Sequence, residues 1–337
     1  MPGIVHVLKR LTDICLRFPP EQRYCGNAFF PTKPVEHLSD QILRWSKGNI
    51  LRLDELALSA PDDELPPEVE LILSADDTYN CRVYAVRSPD KVITKLNADP
   101  AMDYNVERAL HCKGRLDTRL EYLRINQTLR STAIMTATST LTAAQRWDNA
   151  TSPSNTPVTT GRNIVTQIKS LNGGNPPNVV RFTSEVMNGI VTSEEFKDFS
   201  KYGRGGRSDK MIGDNGMVED AWGLPPGSID TCDATYNATH VGLTPSYRKF
   251  LGGDVVFAYV TPPGLRTYGL GAEFRFSGYN TDPYAILTVP QYQRGAIPGE
   301  DIRAIAICDA HVYNAESGYL LRGVVDITNP AYGGFLD

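Results

Sequence analysis

The residues able to do chemistry in this 337-residue chain are five histidines, six cysteines and a long run of carboxylates, and their spacing argues against most of it. His6, His37, His111, His240 and His311 are isolated, with no pair at the spacing of metal ligands. Cys15, Cys25, Cys81, Cys112, Cys232 and Cys308 are far apart and form no CxxC pair. Such scatter reads as reduced, separately buried thiols rather than a disulfide framework. The glycine-rich loop Lys201-Tyr202-Gly203-Arg204-Gly205-Gly206-Arg207 lacks the Lys-Ser/Thr ending of a phosphate-binding loop. Neither a G-x-S-x-G elbow nor an H-E-x-x-H helix occurs. No catalytic residue, cofactor or metal is therefore expected. An enzyme whose groups converge only in space is kept as the alternative of a different class.

The carboxylates are one-sided. Asp54, Glu55, Asp62, Asp63, Glu64, Glu68, Glu70, Asp76 and Asp77 follow one another with no Lys or Arg between Arg52 and Arg82. They lie on a reading of Asn49–Leu73 as a long hairpin, with Leu51, Leu53, Leu56 and Leu58 on one limb and Val69, Leu71 and Leu73 alternating on the other. The turn between, Ala60 to Pro67, is too rich in proline for a sheet interior. An isolated two-stranded hairpin is marginal in water, so this one needs a surface to lean on, and its charge asks for a basic one. Calcium is a poor fit, because the glycine and fixed oxygen spacing of an EF-hand loop are missing.

Two basic surfaces are candidates. Asp99 and Pro100 open a helix that can run to about Thr132, with Val106, Leu110, Leu116, Leu120 and Leu123 as its apolar stripe. At 1.5 Å per residue it is roughly 50 Å long. Arg108, Lys113, Arg115, Arg119, Arg124 and Arg130 are expected on its outward side. Arg115, Arg119 and Arg124 form one candidate contact, and Lys201, Arg204 and Arg207 in the glycine-rich loop form the other. Asp62, Asp63 and Glu64 would be their acidic counterpart on a neighbouring copy.

At 41% hydrophobic and 22% charged the composition is that of a globular protein of one large or two ordinary domains. A formal charge of −5 argues against a surface built throughout for nucleic acid. The opening MPGIVHVLKRL is too short in its apolar run for a secretion signal, and no run reaches the roughly 18 apolar residues of a membrane span. A reducing cytoplasm is the expected setting, so three Asn-x-Thr triplets are taken as chance. Residues 1–35, broken by Pro19, Pro20, Pro31 and Pro34, read as an arm that is either a solvated tail or drapes over a neighbour or an anionic surface.

Between Ala133 and Ile190 the chain reads as three pieces. A turn at Trp147-Asp148-Asn149 is followed by a helix over Arg162–Leu171 stopped by Gly173-Gly174, and then by a strand at Val179–Phe182. Ser184 is placed to cap the next helix. Further strands are expected at 254–260, 268–276, 284–289, 302–307 and 319–325, and the irregular mixture makes the class α+β.

In this order the parts resemble the tailed-bacteriophage major capsid protein family, whose fold encapsulin shells share. The resemblance lies in Gln145-Arg146-Trp147-Asp148 through Ser152-Pro153 with the helix after it, in Pro177-Asn178-Val179-Val180-Arg181-Phe182-Thr183-Ser184, and in the finish Gly299-Glu300-Asp301-Ile302-Arg303 to Gly318–Val325. It implies an N-terminal arm (1–35), an extended β-hairpin loop (36–77), a peripheral domain with a long spine helix (78–135 and 285–337) and an inserted axial domain (136–284). It further implies a chain that assembles with itself as hexamers and pentamers into the icosahedral head of a tailed phage. That shell would be built in the host cytoplasm and belong to the virion. Its partners would be portal, scaffolding and decoration proteins, with packaged double-stranded DNA touched without sequence reading and no membrane. An encapsulin-like cargo compartment is the alternative within the same fold.

Overall fold

The computed structural model describes residues 22–45, 73–89, 104–149, 152–202, 215–239, 242–264, 269–278, 285–291 and 299–327. Along them the chain forms α1 (Gly26–Phe29), β1 (Thr32–Val35), β2 (Ser39–Trp45), β3 (Leu73–Asn80), β4 (Arg82–Pro89) and α2 (Tyr104–Tyr122). Then come β5 (Thr138–Thr140), α3 (Pro157–Leu171), β6 (Val179–Phe182), α4 (Ser184–Thr192), α5 (Glu194–Tyr202) and α6 (Asn215–Trp222). The remaining strands are β7 (Ile229–Thr231), β8 (Thr235–Asn237), β9 (Tyr247–Lys249), β10 (Val255–Ala258), β11 (Gly271–Phe276), β12 (Ala285–Gln291), β13 (Gly299–Val312) and β14 (Gly318–Arg322). The expected α+β class holds.

Two sheets organise these elements. The first is built on β13, a 14-residue strand with β4 antiparallel along one edge and β12 followed by β11 along the other, while β1 adds in parallel outside β11. Helix α2 lies on this sheet because its apolar stripe has a matching one opposite: Ala109, Cys112, Leu116 and Leu120 pack on Ile302, Ala304, Ala306 and Cys308. Past Tyr122 the helix widens into a π turn over Leu123–Leu129, closed by the Arg130 amide donating to the Ile125 carbonyl at 2.8 Å. The helical path thus ends close to the expected Thr132. Its expected start at Asp99 and Pro100 lies outside the described residues.

The second sheet runs β5-β14-β10-β6-β7. Its central strand reads Val255-Val256-Phe257-Ala258, without a polar residue, because both faces are covered. Val255 and Phe257 face a core of Trp147, Val180, Phe182, Trp222 and the helices α3, α4 and α6. Val256 and Ala258 face another containing Phe29, Phe30, Ile125, Leu129 and Phe250. The expected strand at Val179–Phe182 forms with those bounds as β6. Helix α3 starts earlier than expected, at Pro157, where Glu195 accepts the Val158 and Thr159 amides at 2.7 and 3.0 Å. It stops where Gly173 and Gly174 take φ of +61° and +88°. Ser184 is the first residue of α4 rather than its cap, and Asp233 accepts its amide instead, at 3.0 Å.

Three expectations need correction. Residues 25–35 are not an arm: Cys25, Phe29 and Phe30 are buried in a core with Ile125, Leu129 and Phe250, and β1 is a strand of the first sheet. The expected hairpin begins nearer its base, where β2 pairs with β3 from Ser39↔Asn80 to Trp45↔Leu73; the limb expected at 51–58 lies outside the described residues. The boundary at 285 separates neither sheet, since β11 belongs to the first and β14, beyond β13, sits in the middle of the second.

Candidate assembly surfaces

The base of the hairpin is fastened to the first sheet. Ile42, Tyr79 and Cys81 are buried against Ala272, Phe274 and Tyr313, and the Tyr79 and Phe274 rings stack at 4.5 Å. Arg44 donates to the Tyr313 carbonyl and pairs with Asp77 at 2.9 Å, and the Asn80 amide donates to Asp309 at 2.9 Å. Asp77, read as part of the acidic run, is thus held within its own subunit. Asp62, Asp63 and Glu64 lie outside the described residues.

The long helix carries its charge differently from the sequence expectation. Arg115 and Arg119 are exposed, Arg119 with its guanidinium 5.5 Å from the centre of the Tyr122 ring. Arg124 is turned inward and is only 4% exposed, bound to Glu273 at 2.7 Å and 3.8 Å from Glu121. Arg108 and Lys113 are buried as well: Arg108 donates to the Ser88 carbonyl, and Lys113 pairs with Asp117 at 3.7 Å. The reason is width. A helix lying on a sheet and flanked by another segment buries more than its apolar stripe, and a long basic side chain at the margin finds a carbonyl or carboxylate there. Arg124 is therefore withdrawn as a contact residue for a neighbouring chain. Lys201 stands exposed at the end of α5, 3.6 Å from Asp198, in the helical layer of the second sheet. Arg204 and Arg207 lie outside the described residues.

Beside Arg115 the surface is concave. A groove of about 560 Å³ runs between α2 and the β8–β9 hairpin, lined by His111, Lys113, Arg115, Tyr236 and Tyr247 among others. Tyr247 is 51% exposed, and Leu243, in the loop that joins β8 to β9, is 65% exposed. Leu38, Leu43 and Val83, around the base of the hairpin and on β4, are also left open to solvent.

The turn at Trp147 has its own role. Trp147 is fully buried against Trp222 at 6.1 Å, and its amide donates to the Val324 carbonyl at 2.8 Å. Arg146 pairs with Asp326 at 2.7 Å, and Asp148 accepts the Asp326 amide at 3.0 Å. The turn before α3 is thus tied to the chain leaving β14.

Sequence spacing missed one cluster. Cys25, Glu121 and Cys232 are all buried, and their donor atoms lie within 4.8 Å of one another. Cys25 and Cys232 are not separately buried thiols. A hydrogen bond between the Cys25 and Cys232 thiols pushes the Cys25 proton affinity well up and draws that of Cys232 down. No sequence signal could have joined two cysteines that the chain brings together only through α1, α2 and β7. Among the described residues the free cysteines are Cys25, Cys81, Cys112, Cys232 and Cys308, all buried.

Solved structures share this architecture. A phage-related protein from Bordetella bronchiseptica RB50 superposes with a TM-score of 0.66 at 17% identity, covering 95% of this chain and 98% of that one. The capsid protein of the cyanophage P-SCSP1u gives 0.51 at 9% identity over 90% and 89% of the two chains. An encapsulin from Synechococcus elongatus PCC 7942 gives 0.50 at 11% over 96% and 98%. No family model and no curated protein matches the sequence. The chain has the tailed-phage capsid fold shared with encapsulins. The capsid-fold neighbours are structural shell proteins, not enzymes.

Proposed function

We propose that this chain is the repeating subunit of a closed icosahedral shell, the head of a tailed double-stranded DNA phage. The observation that carries the reading is the match in fold over nearly the whole of both chains. Many weak contacts repeated by symmetry stabilise such an assembly beyond any single interface. The exposed apolar residues at the hairpin base and the β8–β9 loop, with the groove beside Arg115, supply surfaces for those contacts. In this reading the chain forms hexamers and pentamers, and Asp62, Asp63 and Glu64 of one copy approach Arg115 and Arg119 or the Lys201–Arg207 loop of the next. The turn at Trp147 aims the part of the chain that follows it at a symmetry axis. Portal, scaffolding and decoration proteins are its partners, and DNA is met only through phosphates. A net acidic wall lets packaged DNA move in and out.

Negative-stain microscopy of the expressed full chain tests this: closed particles of uniform size are expected, and a monodisperse monomer at high concentration would sink the reading. An encapsulin-like compartment is the second reading, favoured by the equally complete overlap with the Synechococcus protein. Particles carrying a co-expressed protein rather than nucleic acid would select it.

A further inference from the structure

The buried cluster of Cys25, Glu121 and Cys232 plays no part in the assembly reading, and its geometry is that of a ligand set. Cys25 lies immediately before α1, Glu121 near the end of α2 and Cys232 directly after β7. One oxygen of Glu121, Oε1, accepts the amides of Cys25 and Gly26, both at 2.8 Å. The other, Oε2, is buried with no hydrogen-bond partner and lies 3.8 Å from Arg124 Nη1. Residue 26 is a glycine where a Cβ would come within 2.6 Å of that oxygen, so the carboxylate reaches the thiols only because no side chain stands there.

We propose that Cys25 Sγ, Cys232 Sγ and Glu121 Oε2 bind a zinc(II) ion. Two thiolates and a carboxylate suit a borderline-soft divalent cation that takes four ligands in a tetrahedron. With Zn–S near 2.3 Å and Zn–O near 2.0 Å, the donors of such a site stand about 3.5–3.8 Å apart. The three residues offer donor atoms within 4.8 Å of one another, about 1 Å beyond that spacing, so small side-chain shifts would close the shell. The Arg23 carbonyl oxygen, 3.8 Å from Cys232 Sγ, is placed to complete it. Binding releases the two thiol protons to solvent, and no electron is transferred. The guanidiniums that border the cluster are already matched, Arg124 by Glu273 at 2.7 Å and Arg181 by Asp230 at 4.0 Å. Arg124 also stands 3.8 Å from Glu121 Oε2, so it offsets part of the carboxylate's charge and the two thiolates are what the cation would neutralise. The ion would join the segment before β1, the long helix and the second sheet at one point.

The test uses the full chain, purified under reduction and stripped with a chelator, then titrated with zinc(II) against a chromophoric competitor and separately with cobalt(II). One zinc per chain is expected, with a cobalt spectrum showing thiolate-to-metal charge transfer. Cys232→Ser should lose the site, Glu121→Gln should weaken it about tenfold or more, and Cys112→Ser should bind as the wild type does. The cobalt spectrum reads the site in the wild-type chain even if a variant fails to fold. No zinc uptake, a cobalt spectrum without thiolate bands, or unchanged affinity in Cys232→Ser would each overturn the proposal. So would recovery of Cys25 and Cys232 as a disulfide from cells lysed into a thiol-blocking reagent. Metal content is measured per chain whether or not particles form, so the result is independent of the assembly reading.

Discussion

Arg124 and Glu273 meet at 2.7 Å with side chains 5% and 1% exposed, and this pair joins the end of the long helix to the first sheet. Arg275 reaches the second carboxylate oxygen of Glu273 at 2.8 Å. Burial alone would raise the proton affinity of Glu273, but the charges and hydrogen bonds of Arg124 and Arg275 outweigh it and hold the carboxyl below its usual range. Removing one member of a buried pair strands the other charge.

Glu273→Gln should therefore destabilise the subunit by about 3–5 kcal/mol at neutral pH, read from urea unfolding. The sign of the pH dependence follows from the depressed value. The pair's contribution is complete above the unfolded carboxyl pKa of about 4.3 and is lost as pH falls through the lower folded value. Glu121 works in the opposite sense, because burial raises its proton affinity more than the Gly26 and Cys25 amides and Arg124 lower it. The acid loss in Glu273→Gln should be visibly shallower than in the wild type, and equal slopes would refute the assignment.

Gly161 faces Trp222 across the contact of α3 with α6. A Cβ at residue 161 would stand 2.3 Å from Trp222 Nε1, whose N–H donates to the Pro157 carbonyl at 3.1 Å. Gly161→Ala should cost about 1–3 kcal/mol by overpacking, despite the better helix propensity of alanine. A thermal midpoint at or above the wild-type value would count against the close approach.

Trp147→Ala should cost about 3–5 kcal/mol, since it empties a fully buried indole site between α6 and the chain leaving β14. Gln145→Ala, which removes two exposed hydrogen bonds from the Thr142 amide and hydroxyl, is expected to cost no more than about 1.5 kcal/mol. Urea midpoints of the two variants, compared on unassembled subunits, check the contrast.

Arg115→Glu combined with Arg119→Glu should lower particle yield at low salt without shifting the subunit's own melting temperature. Each exposed ion pair contributes under about 1 kcal/mol, but the loss recurs at every contact of a shell. Adding Asp62→Lys, Asp63→Lys and Glu64→Lys should restore yield by exchanging the signs. Sedimentation profiles that do not respond to either change would remove these residues from the interface.

What could be read from the sequence were features whose cause is local. Val179–Phe182 and Val255–Ala258 announce buried strands by their own composition, and Gly173-Gly174 announces a helix end by the backbone it must adopt. Helical position says where the Arg124 side chain starts, not what it reaches, and its partner is 149 residues away. The segment around Phe29 and Phe30 conceals its packing for a related reason. Prolines that break a short stretch do not prevent it from packing on a core assembled later in the chain. The cysteine pair belongs to the same class of information, visible only when distant elements are brought together.

β13 and β14 are separated by only a few residues, yet they lie in different sheets, and β1, near the start of the described chain, joins the same sheet as β13. Each sheet is therefore stitched from sequence-distant strands, and no single cut between β5 and β13 leaves either one whole. A protease that nicks this subunit between β5 and β13 should release no stable fragment. Two related chains could exchange this module only by trading the entire subunit.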